Sequence, residues 1–258
     1  MKIKHQIKRL VAAGLLAVVA ASHAQAQFTG KYSKDPKTRA VEEIVEKYLM
    51  AHPEVIQRAL AAQQDSEAKA AQAKVTATLS SKKSELFNNP DDMVLGNPQG
   101  DVTLVEFFDF RCGFCKRAHT TLDQLLAEDK NVRVVLKQFP ILGPDSMAAT
   151  KAALAAARQG KYKEFHHQVF ALDQVNANAM NDIARGLGLD MERFEKDQVD
   201  PSLVKSVVDT AALAEALGIQ GTPNFVLGNR VISGAMDLNS LKANLTAART
   251  LKPPTSPR

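Results

Sequence analysis

The sequence predicts an α/β domain preceded by an all-α N-terminal stalk. Three observations carry this. Two apolar runs with strand character, residues 102–109 and 132–139, flank a helical pattern over residues 112–126. A block of helices follows from Ser146 to about Leu217, then a hairpin pattern and a closing helix. Ahead of all of these, the chain turns helical from about Lys37 and stays so towards Leu86-Phe87.

The chain has 258 residues, room for one full core and a second, smaller unit. Charged residues make up 24% and hydrophobic residues 45%, which excludes a disordered or collagen-like chain. Residues 1–9 carry Lys2, Lys4, Lys8 and Arg9 and no acid, residues 10–21 are apolar, and Ala24-Gln25-Ala26 is an A-x-A cleavage site. These parts stand in the secretory order, and the apolar run is too short to span a bilayer. Residues 1–26 are therefore expected to be a cleaved signal peptide that sends the mature chain to the periplasm. The formal charge of +5 includes the four cations of that segment, so the mature chain carries only +1. No dense basic stripe remains to bind nucleic acid.

Residues 27–36 are polar. In the stalk, Val41, Ile44, Val45, Tyr48 and Leu49 fall at i, i+3, i+4, i+7 and i+8 and form one apolar stripe. Pro53 interrupts it and can open the next helix, where Val55, Ile56, Ala59 and Leu60 renew the apolar face. Residues 61–77 are rich in Ala, Gln and Lys, good helix formers, and read as a long exposed helix. Asn88-Asn89-Pro90 ends it, and the Gly96–Gly100 turn marks a boundary. A contiguous apolar stripe away from a large core marks an interaction surface. Residues 27–90 are thus expected to be an oligomerisation stalk giving a homo-oligomer, trimer or dimer. Folding back onto its own domain is the alternative.

The domain proper spans residues 91–251. Gly143-Pro144, Gly160, Gly186-Leu187-Gly188 and Asp200-Pro201 punctuate a helical insertion over about 143–218. Residues 224–227 and 230–232 make a hairpin across Gly228-Asn229, residues 237–251 a closing helix, and residues 252–258 a flexible Pro-rich tail.

The only two cysteines stand in Cys112-Gly113-Phe114-Cys115, directly after a buried strand and at the start of a helix. At a helix N-terminus, unpaired N–H groups and the helix dipole stabilise a thiolate, and Arg111 and Lys116 add positive charge. A thiolate is the nucleophile of disulfide exchange. Cys115, one turn on, suits the resolving role. Cys112, Cys115 and His119 offer a metal only three ligands, where a closed zinc site needs four. A Cu(I) site stays open as an alternative, with His119 otherwise read as a helix-surface residue. Lys116 after Cys115 removes the haem-attachment motif. No cofactor and no metal are expected.

The run from Val105 to Lys116, with Gly221-Thr222-Pro223 about a hundred residues later, resembles the DsbA-like thioredoxin-fold family. Tyr48-Leu49, His52-Pro53-Glu54-Val55 and Gly96-Asn97-Pro98 resemble its oligomeric ScsC-like branch (suppressor of copper sensitivity). The resemblance implies a thioredoxin fold with a helical insertion. It makes Cys112 the nucleophile and Cys115 the resolving thiol, and it matches Glu106 to the family's buried acid; burial raises a carboxylate's pKa, so Glu106 is expected to relay a proton for Cys115, with pairing to a nearby cation as the alternative. It implies a cis bond at Thr222-Pro223 facing the cysteines, with Thr222 and Pro223, and Gly113 and Phe114, touching the substrate. Phe107, Phe108, Phe110 and Phe114 are expected around the motif, the first three as core residues and Phe114 as a substrate contact. Gly113-Phe114 replaces the Pro-His of the strongest oxidases, which points to a weaker oxidant. The implied activity is that of a periplasmic thiol:disulfide oxidoreductase; isomerisation is favoured because a self-associated stalk would hold several sites around one misfolded client. Its clients would be misfolded or unfolded exported proteins with cysteines, and its redox partner a DsbD- or ScsB-like membrane reductase. The alternatives are a dithiol oxidase recycled by a DsbB-like membrane oxidase, and a copper-binding or copper-tolerance protein.

Overall fold

The computed structural model describes residues 32–251. The expected signal peptide and the Pro-rich tail lie outside them. Two compact units divide between Asp65 and Ser66.

In the first unit, α1 (Pro36–Ala51) begins where the Asp35 carboxylate accepts the Thr38 N–H at 2.9 Å, with Pro36 in the first turn. It ends at His52, whose N–H reaches the Tyr48 carbonyl at 2.9 Å. Pro53 opens α2 (Pro53–Ser81). No residue of α1 is buried: Val41, Ile44, Val45 and Tyr48 of the apolar stripe are all exposed, as are Ile56 and Leu60 on α2.

The second unit is built on a five-stranded mixed sheet in the order β1-β3-β2-β4-β5, with β1 (Met93–Gly96), β2 (Val102–Phe108), β3 (Val132–Gln138), β4 (Asn224–Leu227) and β5 (Arg230–Ser233). Strands β2 and β3 are parallel and joined through α4 (Gly113–Glu128); the other pairs are antiparallel. Side chains alternate across a strand, so β2 feeds two cores. Leu104 and Phe108 pack with α4, with α10 (Leu238–Leu251) and with the inserted helices α5 (Pro144–Arg158), α6 (Tyr162–Ala171), α7 (Ala177–Gly186) and α8 (Met191–Gln198). Val105 and Phe107 pack on the opposite face. There they meet Leu79 of α2, Leu86 of α3 (Lys83–Phe87), and Leu213 and Ala214 of α9 (Pro201–Ala216).

Two features depart from the sequence reading. Strand β1 carries no detectable alternation, because it is a four-residue edge strand running into the Gly96 turn. The segment up to Phe87, read as an exposed helix, breaks at Lys82 and buries Leu79 and Leu86 in the second core.

Lys137 is the one buried cation reaching into that second face among the described residues. Its ammonium meets the Asp92 carboxylate at 2.5 Å and donates to the Glu85 carbonyl at 2.5 Å, tying β3 to the segment before β1. Removing one member of such a pair strands the other in a dry environment. Lys137→Ala should therefore cost about 3–5 kcal/mol in urea unfolding. Adding Asp92→Ala should recover part of that loss, whereas purely additive costs would show that the pair is not coupled.

Candidate active site

The site forms where β2 ends and α4 begins. Asp109, 1% exposed, closes the strand. One carboxylate oxygen accepts the Arg111 N–H at 2.8 Å; the other accepts the Ile141 and Leu142 N–H groups at 2.8 and 3.0 Å. The Asp109 carbonyl accepts the Cys112 N–H at 3.1 Å. One side chain thus shapes the turn into α4 and fastens it to the loop after β3. Sequence reasoning assigned Asp109 no role. The available signal was an Asp two residues before Arg111 at a strand-to-helix turn, the setting of an Asx turn.

Cys112 is the N-cap residue of α4, in extended conformation, and its sulfur accepts the Cys115 N–H at 3.4 Å. The same thiol donates to the Thr222 carbonyl at 3.3 Å. The Thr222-Pro223 bond is cis. Its loop is pinned by Asn224, whose amide donates to the Gly221 carbonyl at 2.7 Å while its oxygen accepts the Ser233 hydroxyl at 2.6 Å. The fold therefore brings Cys112, Cys115 and Thr222-Pro223 together across 110 residues of chain. Asn224 is a second positioning residue that the sequence reading missed.

The two sulfurs differ in access. Cys115 is 0% exposed, whereas Cys112 is 7% exposed and lines a cleft of about 470 Å³ together with Phe110, Gly113, Leu172 and Val175. Both cysteines are free. Phe114 is 58% exposed, its ring capped by the Arg117 guanidinium at 4.2 Å. Arg111 and Lys116 stand beside the motif but have other partners. Arg111 donates to the Leu142 carbonyl at 2.8 Å and lies 3.7 Å from Asp145; Lys116 donates to the Leu172 carbonyl at 2.7 Å and lies 3.9 Å from Asp173.

Beneath the motif the environment is dry. Glu106 projects to the same side of the sheet as Leu104 and Phe108, is 3% exposed, and has one carboxyl oxygen with no hydrogen-bond partner among the described residues. Burial pushes its pKa up to about 8. Burial also pushes the Cys115 thiol well above the ordinary thiol range, and the nearby Glu106 charge adds to the effect. Tyr162, its hydroxyl likewise buried without a partner, is raised by burial first and then by Glu106 and Asp92. The protonated, neutral forms of Glu106 and Cys115 are thus the cheap ones in this interior, and a charge on either is costly.

Two expectations are corrected. Phe107 is a core residue, as expected, but does not join the phenylalanines around the motif: it lies on the other face of the sheet, edge-on to Phe139 at 6.4 Å. Phe108 and Phe110 do pack there, against Phe170 and His166. His119 is not a surface residue but 8% exposed, stacked on Phe170 with centroids 4.7 Å apart. Its Nε2 faces His167, and the converging His/Cys/Asp/Glu group among the described residues includes neither cysteine. The C-x2-C-x3-H set is not assembled.

A family model described as DSBA-like thioredoxin domain matches residues 103–246, and one described as Copper resistance protein ScsC N-terminal domain matches residues 38–70. The chain is similar to a thioredoxin-like oxidoreductase from Silicibacter pomeroyi DSS-3. That likeness has a TM-score of 0.64 and 40% identity over 66% of this chain and 98% of the other. It shares its fold with a linker-deletion mutant of Proteus mirabilis ScsC, at TM-score 0.65 and 23% identity, over 84% of this chain and 97% of that one. Among curated relatives, Na(+)/H(+) antiporter NhaA 3 of Salinispora tropica is 30% identical over 164 residues, 62% of this chain and 25% of the antiporter. The chain spans about a quarter of the length of the curated relatives it matches. No helix among the described residues is long and apolar enough to cross a membrane.

The buried carboxyl makes a pH prediction. With a folded pKa near 8 against an ordinary 4.5, the folded state binds more protons than the unfolded state across that window. Stability is then full below pH 4.5 and is lost as pH rises through 8. In the reduced protein, urea midpoints should fall between pH 5 and pH 8.5, and Glu106→Gln should flatten that fall. An unchanged slope in the variant would remove Glu106 as its source.

Proposed function

This chain belongs to the DSBA-like thioredoxin domain family of thiol-disulfide oxidoreductases, and from that premise we propose that it is a periplasmic disulfide isomerase of exported proteins. The observation that carries the reading is the asymmetry of the two sulfurs: Cys112 caps α4 at an open cleft beside the Thr222 carbonyl, while Cys115 is wholly buried.

The chemistry follows from that asymmetry. The Cys112 thiolate attacks one sulfur of a client disulfide; the second client sulfur leaves as a thiolate, and a Cys112–client mixed disulfide remains. In isomerisation another client cysteine attacks the bonded client sulfur and returns Cys112 as a thiolate, with no net redox change. In escape, Cys115 attacks the Cys112 sulfur. Its proton passes to Glu106 when that carboxyl is ionised, which a pKa near 8 allows around neutral pH for a fraction of the molecules, and the client leaves reduced, its thiolate taking up a proton from solvent. The Cys112–Cys115 disulfide so formed is reopened by a DsbD- or ScsB-like membrane reductase. The backbone of Thr222 offers an extended client a strand-like partner, and the exposed Gly113 and Phe114 offer contact beside it.

The uncovered stripe of α1 supports self-association of residues 27–90 into a trimer or dimer, because a helix gains most of its stability by packing an apolar face. The match of residues 38–70 to the ScsC N-terminal model supports the same reading. Several sites around one client favour reshuffling over single oxidation.

Refolding of a scrambled multi-disulfide protein tests this. The mature chain should restore its activity, and Cys112→Ser should lower that rate by about a thousandfold or more, as loss of a nucleophile does. Deleting residues 27–65, which leaves Leu79 and Leu86 in place, should abolish refolding of the scrambled client yet spare reduction of a small disulfide. Equal refolding without the segment would sink the isomerase reading. A cellular pool held mostly as the disulfide would point instead to an oxidase served by a DsbB-like partner.

A further inference from the structure

We infer that His119, Asp123 and His167 form a binding site for a divalent transition ion of the zinc type, clamping α4 to the inserted helix α6. His119 and Asp123 lie one turn apart on α4, and His167 comes from α6. The His119 Nε2 stands 3.0 Å from the His167 Nδ1, and each of these nitrogens stands 3.5 Å from the same oxygen, Oδ2, of Asp123.

The geometry decides between a hydrogen-bonded trio and a metal site. Two imidazoles 3.0 Å apart share one N–H···N bond. At 3.5 Å the carboxylate oxygen is aimed at both nitrogens but is too far to close a good hydrogen bond to either. A triangle with these sides has its centre about 1.9 Å from every corner, and a point slightly out of its plane lies at the roughly 2.0–2.1 Å that zinc takes to nitrogen and oxygen. Tetrahedral ligation at such bond lengths separates ligand atoms by about 3.3–3.4 Å, within roughly 0.4 Å of all three edges observed. One ion therefore uses three donors that hydrogen bonding leaves incompletely paired.

The ligands are also held in place. The His119 ring is 8% exposed and stacked on Phe170 with an interplanar angle of 20°, and the His166 ring meets it edge-on at 5.0 Å. Asp123 and His167 are partly exposed, and both line a surface cleft of about 460 Å³ through which an ion and a fourth, solvent ligand can enter. Two imidazoles and a carboxylate without thiolate suit a borderline divalent ion better than Cu(I), which prefers sulfur. The two donors on α4 and the one on α6 would then make the ion a cross-link between the helix that carries Cys112 and the insertion that walls its cleft.

The test uses the full mature chain without an affinity tag and with Cys112→Ser and Cys115→Ser, so that the thiols cannot bind metal. Titration with zinc chloride in a calorimeter should show one equivalent bound and a raised Tm. His167→Gln and Asp123→Asn, both partly exposed positions, should fold as judged by circular dichroism. Loss of an outer-shell partner alone weakens metal sites about 10–100-fold, so loss of a ligand should weaken zinc at least a hundredfold. Absence of stoichiometric zinc in the thiol-free chain, or a site that survives both substitutions, would overturn the inference.

Discussion

Within a few residues of leaving a buried strand, the chain must reverse direction, start a helix and set one sulfur at the edge of a cleft while sealing the next. The carboxylate of Asp109 makes this possible. Its two oxygens take three backbone N–H groups, one from the turn itself and two from the loop after β3. Those donors would otherwise be orphaned at a helix entry, where unsatisfied groups are costly. Because the same carboxylate holds both segments, the position of Cys112 is set by the parallel β2–β3 pairing below it. The loop carrying Thr222 is fixed just as firmly through Asn224 and Ser233. A 3.3 Å contact between a thiol and a distant carbonyl is the sum of these constraints.

The interior beneath that surface contains an uncompensated carboxyl. Among the described residues, Glu106 has no cation partner and one carboxyl oxygen without a donor, and Cys115 and Tyr162 share its dry setting. Burying such a group lowers stability, and the fold tolerates it because two separate cores flank the sheet. Both thiols are free, so the reduced fold stands without a disulfide. That suits a protein whose disulfide must form and break without unfolding it.

Much of this was legible in the sequence, for physical reasons. Strands 102–108 and 132–138 are apolar on both faces, and the cysteine pair sits at the switch from strand to helix, so the nucleophile's placement follows from local pattern. The cis loop was legible only through the family resemblance of Gly221-Thr222-Pro223. The joining roles of Asp109 and Asn224 were not, because beyond a local turn contact their partners come from segments up to 33 residues away. Strand β1 was too short to show a period. The burial of Leu79 and Leu86 depends on α9, far along the chain. Phe107 is a different case: the alternation of β2 already separates it from Phe108, and the error lay in grouping aromatic residues by nearness in sequence.

The central claim is that exchange enters through Cys112 and that Cys115 is reached only from within. It is tested most directly by mapping where a small disulfide adds. Reduced Cys115→Ser protein, incubated with glutathione disulfide and analysed by peptide mass, should accumulate a glutathione adduct on Cys112. Reduced Cys112→Ser protein should stay essentially unmodified at Cys115, whose thiol is buried and held protonated. Adduct formation on Cys115 at a comparable rate would contradict the account, since both sulfurs would then face solvent on the timescale of exchange.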